Sequence, residues 1–134
     1  MEYTLTPSTD SQYIIIKVVG EFTRPEALKI ASDAFELGRE LGIRCHLNDM
    51  TEARNVDRVI DDVYFTRKDV RDIEARDDMA CAAVLVDPSD HSHDFYVAFA
   101  RGNGIDITLF WDRDEAIAHL LKAAKRLATD RSDE

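Results

Sequence analysis

Residues 80–88, Ala-Cys-Ala-Ala-Val-Leu-Val-Asp-Pro, constrain this chain more than any other stretch. The run is apolar without interruption and carries no charge until Asp87. Arg76, Asp77 and Asp78 bound it on one side and Pro88 on the other. A run this short, rich in Val and Ala and stopped by Asp-Pro, predicts a strand covered on both faces. Most of the remaining chain reads as layers laid against it.

Strand signals precede it. Residues 3–6 alternate, and Pro7 follows, which suits an edge strand pairing with what comes next. Residues 12–21 hold Tyr13, Ile14, Ile15, Ile16, Val18 and Val19, a β-branched strand that Gly20 closes. Ile43, Cys45 and Leu47 alternate with Arg44, His46 and Asn48 in a third strand, which residues 49–51 are expected to leave. Residues 105–111 form the last strand.

Helix signals fall between these strands. Thr23-Arg24-Pro25-Glu26 has the form of a capping box with proline in the first turn. Ala27, Ala31, Ala34, Phe35, Gly38 and Leu41 follow as one stripe, and Gly42 stops it. Asn55 is expected to cap a helix with Val56, Val59, Ile60, Val63 and Tyr64 inward, running to about Val70. Residues 57–78 hold eight acids and five bases, which reads as a solvated face or helix end. Residues 89–93 open another helix, with Phe95, Ala98 and Phe99 inward and residues 101–104 ending it. Asp112 caps the last helix, with Glu115 three residues on and Ile117, Leu120, Leu121, Ala124 and Leu127 as its stripe.

Strands alternating with helices imply right-handed crossovers and a mainly parallel sheet. The fold class is therefore α/β: a mostly parallel central sheet of four or five strands, an N-terminal antiparallel edge strand and four helices. With 134 residues the chain fits one domain, expected at residues 1–128, with 129–134 as a disordered acidic tail.

A net charge of −10 argues against a nucleic-acid partner, which needs a basic face. No stretch approaches the roughly 20 apolar residues of a membrane span. The first ten residues are polar, so no secretory signal is expected, and cytoplasmic residence follows. Cys45 and Cys81 read as buried, reduced thiols within strands.

The pattern resembles the SpoIIAA-like, or STAS/SEC14-like, small bacterial domains. The likeness rests on residues 13–21 as first main strand, on residues 81–88, and on Gly104-Ile105-Asp106-Ile107-Thr108-Leu109-Phe110 leading into residues 112–121 with Ala116 and Leu120 inward. In the anti-sigma-factor antagonists of that superfamily, a Ser in an Asp-Ser-Ser-Gly-like turn is phosphorylated. This chain has no such string. Its nearest counterpart is Asp49-Met50-Thr51, which makes Thr51 the phosphoacceptor that the resemblance implies. A SEC14-like relationship implies a lipid or other hydrophobic ligand.

Several constellations could carry chemistry. Asp49, Asp87 and Asp112 fall at or near expected strand ends, where open α/β sheets bind ligands. Three such carboxylates could hold Mg²⁺, although Asp is also the common helix cap. Asp90-His91-Ser92-His93-Asp94 could supply transition-metal ligands if extended, yet lacks a third and fourth ligand at fixed spacing. Ser89 or Ser92 with His91 lacks a nucleophile elbow. Tyr64, Phe65, Phe95, Tyr96, Phe99, Phe110 and Trp111 could line an apolar pocket or fill a core.

The sequence thus points to a noncatalytic binding or regulatory module without a cofactor. It would recognise a protein partner, a second copy of itself or a hydrophobic small ligand. The expected surface is the turn at residues 49–55 and the loop at 88–93, with Asp49, Thr51, Asp87, Ser89, His91 and His93 as binding residues. The alternative of another class is a metal-dependent hydrolase using Asp49, Asp87, His91 and His93.

Overall fold

The computed structural model describes the backbone of residues 1–57 and 79–132, with side chains to residue 129. Its elements are β1 (Glu2–Pro7), β2 (Ile14–Phe22), α1 (Arg24–Leu41), β3 (Cys45–Asn55), β4 (Cys81–Leu85), α2 (Asp94–Gly102), β5 (Ile107–Phe110) and α3 (Arg113–Ser132). The strands form one sheet in sequential order, β1 to β5. β1 is antiparallel to β2, and every other neighbouring pair is parallel. The fold class is the expected α/β sheet with an antiparallel edge. Three helices occur among the described residues. The helix expected from Val56 to about Val70 falls outside them from residue 58 onward, and Val56, expected to face inward, is exposed.

Strand alternation sorts the core into two faces. Ile14, Ile16 and Val18 of β2 pack with Ile30 and Ala34 of α1. Ala82 and Val84 of β4 pack on that same side with Val97 and Ala100 of α2. The opposite face carries Cys45, Leu47, Cys81, Ala83 and Leu85, covered by Ala116, Leu120 and Ala123 of α3. Crossovers that step repeatedly in one direction across a sheet leave their helices on one face, and a helix after the last strand is free to cover the other.

β4 is buried at all five of its positions, as its composition predicts. It is not the middle strand, however: β3 holds that place, and β4 lies beside the edge strand β5. A uniformly apolar strand reports cover on both faces, which the strand next to an edge also has when helices lie above and below it.

The local signals are realised with instructive differences. The Thr23 N–H donates to Glu26 Oε1 (3.1 Å), the reach-back limb of the capping box. Gly42 ends α1 at φ 71°, in the left-handed region that glycine enters without strain. Ile30 joins the buried face of α1, while Leu41 is exposed. In α2 the inner residues are Val97 and Ala100. Ala98 is exposed, and Phe95 instead packs on Phe99 at 6.0 Å. Asp112 Oδ1 accepts from the N–H groups of Asp114 and Glu115, as expected of a cap. α3 buries Ala116, Leu120 and Ala123, leaves Leu121 exposed, and continues to Ser132, past the boundary expected at residue 128.

The largest correction concerns residues 49–55, which are strand, not turn. Lys17 pairs with Asp49 and Val19 with Glu52, so β3 carries an extra residue opposite Val18. Asp49 Oδ1 accepts from the Thr51 N–H (3.2 Å) and the Thr51 hydroxyl (2.7 Å). The turn chemistry of Asp49-Met50-Thr51 is present, but it shapes a β-bulge inside a longer strand.

Candidate functional site: an apolar cavity between two helices

α1 and α2 lie on the same face of the sheet and enclose a cavity of about 330 Å³ between them. Its floor is Ile16, Val18, Ala82, Val84 and Ile107, the residues that strand alternation turns toward this face. Ala27, Leu28 and Ala31 of α1 form one wall, and Tyr96 and Val97 of α2 form the other.

A few polar groups interrupt the apolar lining: Arg24, Ser32, His46, Asn48, Asn55 and His93. The Arg24 guanidinium lies 5.4 Å from the centre of the Tyr96 ring, a cation–π distance. The backbone N–H of Arg24 donates to the Asp57 carboxylate. His46 is tilted against Phe35 at 5.6 Å. A cavity of this size, mostly apolar with convergent polar groups, has the make-up of a small-molecule pocket.

The expected binding residues separate in space. His93 is buried at the cavity and stacks on Phe22 at 5.8 Å. Its Nε2 donates to the Ala53 carbonyl (3.1 Å), and Asp90 Oδ2 lies 3.4 Å from the same atom. The Ser92 hydroxyl accepts from the Asn55 N–H (3.1 Å). The end of β3 and the 88–93 loop therefore meet, as expected of neighbouring strand ends. Burial pushes the Asp90 carboxyl up, but the Ser92 N–H and hydroxyl, with His93 and Arg54 nearby, hold it below its ordinary value.

His91 turns outward and pairs with Asp94 (2.9 Å). Asp87 Oδ1 accepts from the Ser89 hydroxyl (2.6 Å) and N–H (2.8 Å), which hold its carboxyl below the usual range. Asp49 is buried on the face that α3 covers, where Arg113 and Lys17 neutralise it. Thr51 spends its hydroxyl proton on Asp49 and lies within β3, away from any strand-to-helix turn. Asp49, Asp87, His91 and His93 do not converge as a metal-binding group among the described residues. Asp87 serves a turn, His91 is exposed and pairs with Asp94, and Asp49 and His93 lie on opposite sides of the sheet.

Sequence reasoning missed Arg24, His46 and Asn48 as cavity residues. Alternation along β3 puts His46 and Asn48 on one face, which was the available signal. Arg24 carried none, since the first turn of a helix normally exposes its cations. Tyr96 reaches the cavity as the apolar-pocket reading expected. Phe110 packs on the other face beside α3, and Trp111 is exposed.

The fold is SpoIIAA-like. The chain is similar to the crystal structure of an uncharacterized DUF3478-family protein from Shewanella loihica PV-4, described as having a SpoIIAA-like fold. The two are 18% identical, with 89% of this chain and 92% of that chain covered and a TM-score of 0.52. No protein-family model and no curated protein matches the sequence. Among the described residues, no helix is long and apolar enough to cross a membrane.

Proposed function

We propose that the protein is a non-enzymatic binding module whose cavity between α1 and α2 takes a small, predominantly apolar molecule. The cavity itself carries this reading: about 330 Å³ walled by aliphatic and aromatic side chains, with its polar groups at a few points. That volume lies at the low end of ligand sites, so the occupant is a compact molecule, not a two-chain lipid. The sheet residues on the floor are rigid, and the polar groups orient one end of the ligand. Regulation of a protein partner would follow from ligand occupancy read at the nearby 88–93 loop.

The test is native mass spectrometry of freshly purified protein, together with titration of an environment-sensitive apolar fluorophore. Wild type is expected to carry a co-purified small molecule or to bind the fluorophore saturably at one site. Ala31→Phe, which adds an aromatic ring to the α1 wall, is expected to abolish binding while the protein stays folded. A wild type that binds nothing, or an Ala31→Phe variant that binds equally well, overturns the reading.

A further inference from the structure

We propose that Cys45, Cys81, Asp106 and His119 form a tetrahedral zinc site at the edge of the sheet where the parallel strands begin. The site lies on the face covered by α3, opposite the cavity, and is independent of it.

The placement follows from topology. Cys45 and Cys81 are the first residues of the adjacent strands β3 and β4 and stand directly opposite each other in register. The two thiols are close enough that each perturbs the ionisation of the other. Asp106 immediately precedes β5, the next strand over, and α3 carries His119 back across the same face. Potential ligand atoms of Cys81, Asp106 and His119 all lie within 4.8 Å of one another. Zinc bonds of about 2.0–2.3 Å at tetrahedral angles hold ligand atoms about 3.3–3.8 Å apart. Bringing these three to zinc geometry therefore takes side-chain shifts on the order of 1 Å, and Cys45, which lies outside that 4.8 Å group, moves further to become the fourth ligand.

Three further observations favour a cation here. First, His119 Nε2 is buried and has no hydrogen-bond partner among the described residues. Buried polar atoms are rarely left so, and coordination through that nitrogen would satisfy it. Second, the donor set is two soft thiols, an imidazole and a carboxylate, the types that zinc selects. Third, the charges balance closely. Two thiolates and a carboxylate around Zn²⁺ leave one excess negative charge. Arg126 lies 3.7 Å from Asp106, and Arg44 exerts its field on the Cys45 thiol. Asp106 is partly exposed, which gives the ion an entry path. Coordination releases the two thiol protons to solvent, and no oxidation or reduction is involved.

The experiment uses full-length protein without a histidine tag, stripped of metal and then titrated with Co²⁺. The expected result is the intense visible absorption of tetrahedral thiolate-bound Co²⁺, saturating at one equivalent and bleached by Zn²⁺. His119→Gln and Cys81→Ser should each weaken binding at least about tenfold. His119 is only half-buried, so its variant keeps the test alive if Cys81→Ser fails to fold. The pale spectrum of octahedral Co²⁺, no binding, or a tetrahedral spectrum unchanged in the folded variants would each overturn the proposal.

Discussion

Arg113, the first residue of α3, donates its guanidinium to the buried carboxylate of Asp49 in the middle of β3, a contact spanning 64 positions of sequence. Lys17 of β2 reaches the same oxygen at 3.4 Å, and Thr51 donates twice to the other. The carboxylate thus ties the last helix to the central strand and holds the β3 bulge in shape. The exposed half of Arg113 limits what that single contact contributes, because water competes for it. Thr51, half-buried on β3, is a neutral partner whose hydrogen bonds salt does not screen.

This arrangement predicts a specific pH dependence. Burial pushes the Asp49 carboxyl up, and the Thr51 and Arg113 hydrogen bonds more than offset it, so its folded pKa lies below the ordinary value. The stability it contributes is present above the unfolded pKa of about 3.9. That stability is lost as the pH falls through the folded value. Asp49→Asn is expected to cost about 1–3 kcal/mol at neutral pH. Denaturant unfolding across a pH series should show the gap to wild type closing below about pH 4. A gap that stays constant into acid would contradict the assignment.

Gly38 predicts a steric effect. A Cβ there would lie 2.5 Å from the backbone oxygen of Ile43, because α1 turns back onto β3 at this point. Gly38→Ala should destabilise by about 1–3 kcal/mol, more than the ~1 kcal/mol of helix propensity it gains. Gly102 has open space around its position, so Gly102→Ala should stay within about 0.5 kcal/mol of wild type. Urea unfolding of the pair checks both.

Leu120 and Leu121 are neighbours with opposite fates. Leu120 is fully buried against β4, whereas Leu121 is 37% exposed. Leu120→Ala should cost about 2–5 kcal/mol. Leu121→Ala should cost about 1 kcal/mol or less. Thermal melts that ranked them equally would mean that α3 is rotated from the position described.

His93 predicts a polar effect in an apolar setting. His93→Phe preserves most of the ring and its stacking on Phe22, but it leaves the Ala53 carbonyl without its donor. An unpaired buried carbonyl costs about 1–3 kcal/mol, so the variant should melt earlier despite being more hydrophobic. A Tm equal to or above that of wild type would show that water replaces the bond.

Much of the architecture was legible because it rests on short-range patterns. Burial of β4, the β-branched character of β2, the left-handed stop at Gly42 and the Asp112 cap each depend on a few adjacent residues. The turn chemistry at Asp49 was legible too, but its outcome was not. An aspartate accepting from the residue two ahead can end a strand or bulge it. The choice fell to β2, which continues to Phe22 and offers β3 a partner as far as Asn55. The orientations of His91 and His93 could not be read for a similar reason. Their alternation held only if the segment stayed extended, and α2 begins directly after His93.

The sequence by itself determined the alternation of strands and helices, and with it a parallel sheet with an antiparallel edge, because hydrophobic period and capping chemistry act over one or two turns. Tertiary structure alone decided which distant residues meet. It brought Cys45 beside Cys81, Arg113 onto Asp49, and α1 and α2 to the two sides of one cavity. Those meetings depend on strand order and register, which the packing of whole layers sets and no local pattern encodes.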